Sequence, residues 1–439
     1  MTTVAAEGRT EISGAISELG GRKPQVAGNG AANVTGKQDN SAPKTDGLIE
    51  AIVSRGNMMA AYTRVMRNKG APGVDSMPVT ALKEYLQEQW PRIKEELLAG
   101  KYTPLPVLKV EIPKPEGGTR MLGIPTVLDR LIQQAVHQVL SRLFDPEFSS
   151  HSHGFRPEKS AHQAIKAARQ YVESGKRWVV DIDLEKFFDR VNHDILMSLV
   201  KRKVKDKQVL KLIDSYLKAG MMEGGVVSPR QEGTPQGGPL SPLLSNILLD
   251  ELDKELENRG HSFCRYADDC NIYVRSERAG KRVMASVERF ISTRLRLKVN
   301  QSKSAVAKPE TRHFLGFRLL ATDGKPEILL SERSEKRLRE RILELTPRSA
   351  GRSLSSTISQ INRYLQGWKG FFGKCTAGIG WVLQGIDAHI RRRLRAIVLK
   401  HWKRKLTIAK RLIQLGVNRK TAWRRVYESR KGIWALTAR

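Results

Sequence analysis

Two adjacent carboxylates, Asp268 and Asp269, lie in the middle of a stretch that is otherwise typical of a β-strand, FCRYADDCNIYV at residues 263–274. Like charges at this distance repel each other and resist ionising together unless a positive charge lies between them. Acidic residues are also among those that strands disfavour. The stretch therefore predicts a hairpin whose tip carries two metal-binding carboxylates.

A second acidic pair lies in RWVVDIDLEKFFD, residues 177–189, where Asp181 and Asp183 share one face of a strand predicted over 178–184. A charge within an apolar strand is costly unless it is paired or bound to a metal. A strand-end carboxylate and a hairpin-tip pair together are what two-metal phosphoryl transfer requires, with two Mg²⁺ ions ~3.5 to 4 Å apart. These acidic residues predict a nucleotidyltransferase.

The charge balance of the chain predicts a polyanionic partner. Among 439 residues there are 77 Lys and Arg against 45 Asp and Glu, a net charge of +32 that exceeds what solubility requires. Residues 351–439 hold 21 basic and 2 acidic residues and five of the seven tryptophans. Such a mixture suits phosphate neutralisation with base stacking, although tryptophans anchoring a small helical core would give the same pattern.

The elements between these motifs follow from local patterning. Residues 1–46 are rich in small and polar residues without an apolar period, which predicts a disordered leader. Residues 106–125 predict a β-hairpin, and the Gly/Pro-rich EGTPQGGP at 232–239 precedes a helix that begins near Ser241. From Ser331 onward the pattern is helical, with one apolar stripe formed by Leu354, Ile358, Ile361, Leu365, Trp368 and Phe372.

Taken in order along the chain, several motifs resemble the reverse-transcriptase series: IPKPEGGTRMLGIP (112–125), HGFRP (153–157), DLEKFFD (183–189), TPQGGPLSPLLSN (234–246), YADD (266–269) and FLGF (314–317). APGVD (71–75) and INRYLQGWKGFF (361–372) are similar to the N-terminal extension and the maturase region of bacterial group II intron-encoded proteins. The similarity covers roughly residues 50–437. No His/Cys-rich endonuclease motif follows, so the resemblance is to the endonuclease-lacking, group IIC-like type, with a terminus that we expect to be shortened.

This resemblance implies an α+β right-hand polymerase. The expected parts are the leader at 1–46, fingers and palm at 47–330, a helical thumb and maturase region at 331–402, and a small basic helical DNA-binding segment at 403–439.

The resemblance also implies roles for single residues. Asp183, Asp268 and Asp269 match the catalytic metal-binding triad, whereas Asp181 does not match it. The remaining matches concern the incoming nucleotide. Lys114 and Arg120 match the fingertip pair that holds the triphosphate. Gln236 matches the amide that contacts the nucleotide, and Phe188 matches the aromatic gate that excludes a 2′-hydroxyl. The basic run near the C-terminus predicts nucleic-acid contacts by Arg391, Arg392, Arg393, Lys403, Arg404 and Lys405.

The expected activity is RNA-directed DNA synthesis with two Mg²⁺ ions. Its expected partners are group II intron RNA, a DNA target and primer, and deoxynucleoside triphosphates. No run of ~18 apolar residues is present, so we expect no membrane partner and a bacterial cytoplasmic, nucleoid-associated location.

Three alternatives remain open at this point. They are a maturase that only supports splicing, a reverse transcriptase of another lineage (CRISPR-associated, diversity-generating or defence), and an RNA-dependent RNA polymerase. The complete set of polymerase residues argues against the first. The QGWKGFF segment and the basic end argue against the second, and Phe188 argues against the third.

Overall fold

The computed structural model describes residues 47–113, 118–228, 232–322, 324–347, 351–428 and 436. The chain forms two compact units. The first unit comprises the chain up to Ala164 together with Trp178–Val306, and the second unit comprises Ile165–Arg177 together with the chain from Ala307 onward. The predicted leader lies outside the described residues, and the four-part division of the chain stays a prediction.

Helices and two sheets build the first unit. The helices are α1 (Leu48–Val53), α2 (Arg55–Asn68), α3 (Leu82–Leu98), α4 (Val127–Phe144), α5 (Ala161–Glu173, which continues into the second unit), α6 (His193–Lys203), α7 (Lys207–Lys218), α8 (Ser241–Asn258) and α9 (Glu277–Arg294). One sheet holds the predicted hairpin, in the order β2 (Thr119–Ile124), β1 (Val107–Pro113), β4 (Met221–Glu223) and β5 (Val226–Ser228).

The other sheet of the first unit carries the acidic motifs. Its strand order is β6 (Ser262–Tyr266), β7 (Asp269–Val274), β3 (Trp178–Ile182) and β8 (Ala305–Ala307). Alternating apolar residues bury one face of this sheet against helices, with Val180 and Ile272 fully buried beside Val287 and Ile291 of α9. That packing fixes the strand ends, where the polar residues lie.

Besides the part of α5 that belongs to it, the second unit contains the hairpin β9 (Phe317–Leu320) and β10 (Glu327–Leu330). Its helices are α10 (Glu332–Leu345), α11 (Leu354–Phe372), α12 (Ile379–Trp402), α13 (Lys405–Gln414) and α14 (Arg419–Tyr427). The predicted apolar stripe lies on α11, where Ile361 and Trp368 enter a core with Ile342 and Ile386, whereas Ile358 remains 37% exposed.

The tryptophans of the basic region differ in burial, and base stacking by any of them stays a prediction. Trp368 is buried, and Trp402 and Trp423 pack against a small second core around Ile408. Trp381 is 82% exposed. Trp434 lies outside the described residues. None of the helices in the described ranges combines the length and the apolarity that crossing a bilayer requires.

Candidate active site

The Asp268–Asp269 hairpin forms as predicted. Strands β6 and β7 pair antiparallel with Tyr266 opposite Asp269, so Ala267 and Asp268 make a tight turn. Ala267 adopts φ 58°, in the left-handed region that a residue with a Cβ seldom occupies. Such a backbone persists only where the surrounding structure enforces it, and enforced turns concentrate at functional sites.

Asp183 lies beside this turn because of the strand register. β3 pairs antiparallel with β7, with Ile182 opposite Cys270, so the next residue, Asp183, emerges at the strand end next to Asp269. The Asp183 N–H donates to Ser304 Oγ at 3.0 Å, and its carbonyl accepts from the Asn300 N–H at 2.8 Å. The structure therefore brings the three predicted triad residues together and fixes the backbone of the third.

Asp181 has a different environment. It pairs across the sheet with Asn271, and with the Asn271 amide turned so that its nitrogen faces the carboxylate, Nδ2 lies 2.9 Å from Asp181 Oδ1. A cross-strand amide thus satisfies this carboxylate within the sheet. The exclusion of Asp181 from the metal-binding triad stays a prediction.

The carboxylates at the turn destabilise one another's charge. Burial, with Asp183 nearby, raises the pKa of Asp268. Burial, followed by the charges of Asp268, Asp181 and Asp183, raises the pKa of Asp269 to about 7. The adjacent carboxylates therefore repel one another when both are ionised. A cation bound between them would relieve that repulsion.

The donor set fits a divalent ion in charge and chemistry. Within the described ranges, no three His, Cys, Asp or Glu side chains already surround a common point. Mg²⁺ is typically held by one or two carboxylates, waters and substrate phosphates, so a site for it need not be a closed protein cage. Lys303 Nζ lies 3.7 Å from Asp183 Oδ2, and its side chain is 61% exposed. Asp183, Asp268 and Asp269 are the residues that would hold the ion.

A buried arginine positions the turn from behind. Arg265 donates from Nε and Nη2 to the two oxygens of Asp253, at 2.7 and 2.5 Å, and both side chains are almost fully buried. Its Nη1 donates to Asn246 Oδ1 at 2.9 Å and to the Ala267 carbonyl at 2.8 Å. Asn246 in turn donates to the carbonyl of Gly154, where an added Cβ would overlap the backbone of the turn. We call these contacts the Arg265 network.

Sequence reasoning missed the residues of the Arg265 network. A signal was present in FCRY, where Arg265 interrupts an apolar strand as the aspartates do. Its partners lie on α8, where Asp253 and Asn246 look like the polar face of an amphipathic helix. Only the packing of α8 against the sheet shows that they are buried.

The predicted nucleotide contacts lie on segments that join the turn region. The Gly123 N–H in β2 donates to the Gln236 carbonyl at 2.9 Å, which ties the Gly/Pro-rich loop to the strand that carries Arg120. The Phe188 carbonyl accepts from the Thr234 N–H at 2.7 Å in the same loop. These contacts bring Arg120, Gln236 and Phe188 onto one connected set of segments.

Electrostatics also connects Arg120 with the turn, because its guanidinium partly offsets the effect of burial on the pKa of Asp268. The Phe188 ring lies edge-on to Phe187, with 5.2 Å between ring centroids. Lys114 lies outside the described residues. The nucleotide-binding roles of all four predicted residues stay predictions.

The predicted nucleic-acid residues belong to the second unit. Arg391 pairs with Asp387 at 2.8 Å, and Arg392 is exposed, whereas Arg393 is half-buried. The side chains of the remaining three are exposed where α12 gives way to α13, namely Lys403, Arg404 and Lys405. Their contacts with nucleic acid also stay predictions.

Comparison with known proteins defines the class. Residues 112–319 match the family "Reverse transcriptase (RNA-dependent DNA polymerase)", and residues 335–414 match "Group II intron, maturase-specific domain". Protein YkfC of Escherichia coli (strain K12) is 33% identical over 311 residues, covering 61% of this chain and 82% of YkfC. The group II intron-encoded protein LtrA of Lactococcus lactis subsp. cremoris is 42% identical over 195 residues, covering 44% of this chain and 32% of LtrA.

The chain belongs to the reverse transcriptase family and carries a group II intron maturase-specific domain. The predicted α+β polymerase fold, the RNA-directed DNA polymerase class and the maturase assignment are confirmed. Reverse transcriptases of this family use divalent metal ions. The chain spans about a third of the length of LtrA.

Proposed function

We propose that the protein copies RNA into DNA at a two-Mg²⁺ site held by Asp183, Asp268 and Asp269. The observation that supports this most directly is the meeting of these three carboxylates at one end of the sheet. Burial there, followed by the charges of Asp268, Asp181 and Asp183, raises the pKa of Asp269 to about 7. Bound Mg²⁺ supplies activation of the primer 3′-hydroxyl and neutralises charge on the triphosphate.

The residues around the carboxylates would orient the incoming deoxynucleoside triphosphate. Arg120, with Lys114, would hold its phosphates by charge-assisted hydrogen bonds. Gln236 would contact the nucleotide from the loop that is tied to β2. The ring of Phe188 would lie under the sugar and clash with a 2′-hydroxyl, which selects deoxynucleotides over ribonucleotides.

The template and partner that we propose is a group II intron RNA, which the protein would stabilise for splicing and then copy from a DNA primer at a DNA target site. The match of residues 335–414 to the maturase-specific domain supports an intron RNA partner. The net charge of +32 supports binding to both nucleic acids. The protein would carry out these reactions in the bacterial cytoplasm, in association with the nucleoid.

The test is primer extension on an RNA template by Asp268→Asn. The variant should lose cDNA synthesis and keep its affinity for RNA, because it removes a metal ligand and leaves the basic surfaces unchanged. Asp214→Asn is the matched control, since Asp214 is a surface carboxylate on α7 paired with Lys218 at 2.7 Å. Primer extension by Asp268→Asn at the rate of the control would show that the triad is assigned wrongly.

A further inference from the structure

A pocket of about 410 Å³ lies between α10 and α12 of the second unit. Ile342 and Ile386 form its buried apolar floor, with Leu343 and Ala388 beside them. The polar residues that line it are Arg339, His389 and Arg392. Its volume lies within the range of small-ligand sites, roughly 300 to 1,000 Å³.

The polar side of this pocket consists of hydrogen-bond donors. Arg392 Nη2 lies 3.4 Å from His389 Nδ1. A guanidinium can only donate, so Nδ1 accepts and the imidazole proton lies on Nε2. His389 Nε2 is shielded from solvent and has no partner among the described residues. Burial, followed by Arg393, Arg392 and Arg339, lowers the pKa of His389, so the ring is neutral at pH 7.

Among the described residues, no carboxylate lines the pocket, although Glu335 pairs with Arg339 at 2.7 Å from the neighbouring turn of α10. Two guanidinium groups and the His389 imidazole therefore line a pocket with an apolar floor. A matching ligand has a flat apolar part, hydrogen-bond acceptors and a negative charge. A nucleotide combines all three, with its base on the floor and its phosphate on the guanidinium groups.

One face of α12 continues the pocket towards its N-terminal end. Trp381, Gly385, His389 and Arg392 follow one another at spacings of 4, 4 and 3, so they lie on the same side of the helix. Trp381 is 82% exposed, which is unusual for an indole in a helical core region. It offers a stacking surface for a base next to the one in the pocket.

We propose that the pocket between α10 and α12 binds a single unpaired nucleotide of the RNA partner. An RNA occupant is favoured over a free nucleotide because the pocket lies within the maturase-specific domain and opens beside an exposed stacking residue on a basic helix. The inference deepens the proposed function and rests on its RNA-binding part. It does not depend on the polymerase site.

The experiment measures the affinity of the full chain for fluorescent RNA hairpins that carry one bulged A, C, G or U, or no bulge. Gly385→Leu places a side chain in the pocket without backbone strain, since the nearest atom to a Cβ there is Arg339 Nη1 at 3.8 Å. Leu also favours the helix more than Gly does. We expect this variant to bind at least one bulged hairpin about tenfold more weakly and the fully paired hairpin as the wild type does.

Gly380→Leu is the matched control, because it lies on the same helix and a Cβ there contacts nothing within 4 Å. It should bind every hairpin as the wild type does. Trp381→Ala should weaken binding of the same bulged hairpin by about fivefold or more. Equal affinity of Gly385→Leu and Gly380→Leu for all four bulged hairpins would overturn the proposal.

Two further measurements distinguish this proposal from a free-nucleotide site and from the polymerase proposal. Free AMP, CMP, GMP and UMP are added as competitors, and competition at micromolar concentration would overturn the proposal in favour of a free-nucleotide site. Primer extension by the wild type is measured on the same preparation. Its absence would contradict the polymerase proposal, whereas the pocket is judged by the hairpin affinities alone.

Discussion

Replacing Asp253 by Asn should lower the free energy of unfolding of the first unit by about 3 to 5 kcal/mol, the range for removing one partner of a buried ion pair. The structure places this substitution at the upper end of effects for single residues. Arg265 and Asp253 are 1% and 0% exposed and share two short hydrogen bonds, so neither water nor salt screens them. Asn also turns an NH₂ donor towards a guanidinium that cannot accept.

The assay is urea denaturation at low and at high salt, with Asp214→Asn as the reference. The Asp214–Lys218 pair has the same kind of contact at 2.7 Å but lies on the surface of α7, where water and salt screen it, so its loss should leave stability almost unchanged. The large loss expected for Asp253→Asn should not change with salt. A loss below about 1 kcal/mol would show that the buried pair is not ionic in the folded protein.

A double variant separates stability from positioning. Asp253→Leu with Arg265→Met replaces the buried pair by apolar side chains, a change that is often neutral or stabilising. Stability should therefore recover in part, because Asn246 Oδ1 and the Ala267 carbonyl still lose their buried donor. The turn that carries Asp268 is released by the same loss. We expect primer extension to stay low in this variant. Wild-type extension by the double variant would refute a positioning role for Arg265.

Three other outcomes are expected. Phe188→Ala should admit ribonucleotides in single-nucleotide extension, because the discrimination is a clash, and an unchanged preference would move the gate elsewhere. Replacing Lys403, Arg404 and Lys405 together by Gln should flatten the plot of log affinity against log salt by up to ~0.9 per phosphate contact on duplex DNA, whereas an unchanged slope would remove them from the binding surface. Burial lowers the pKa of His137 to about 4, so as the pH falls below 6.5 the unfolded state binds a proton before the folded state does. The free energy of unfolding should therefore drop by up to ~3 kcal/mol by pH 4. His137→Gln should remove this drop in urea denaturation.

The three carboxylates that meet at the turn could be found from sequence because each breaks a local rule. Asp268 and Asp269 place like charges in a strand pattern, and Asp183 ends an apolar one. Side chains alternate between the two faces of a strand, so the strand pattern also indicates which residues share a face. Asp183 and the Asp268–Asp269 turn then meet if β3 and β7 pair. The hairpin at 106–125 and the helix from Ser241 were predictable for similar local reasons.

The Arg265 network was not predictable because its meaning depends on tertiary packing. Arg265 and Asn246 are 19 positions apart, on a strand and a helix, and nothing local indicates that they meet in a buried site. Helix ends also depend on capping contacts. Helix α9 begins at Glu277, where the Ser276 hydroxyl accepts from the Ala279 N–H.

The tryptophans show the same limit. A tryptophan among basic residues suits either base stacking or anchoring in a core. Only the burial seen in the structure distinguishes the exposed Trp381 from the buried Trp368. Whether a side chain on a helix is exposed depends on which neighbouring helix covers it. The sequence of the helix that carries the side chain does not contain this information.

The Arg265 network lies on one side of the catalytic turn, and the carboxylates lie on the other. Besides its side-chain contacts, the Arg265 backbone donates to the His151 carbonyl and accepts from the His153 N–H. Amide protons in this segment should therefore exchange with solvent only when the whole unit opens. The residues that would carry the chemistry of the turn are thus different from the residues that stabilise its fold. Substitutions at Asp268 and Asp269 should therefore disturb the proposed metal site while the buried scaffold behind them keeps its stability.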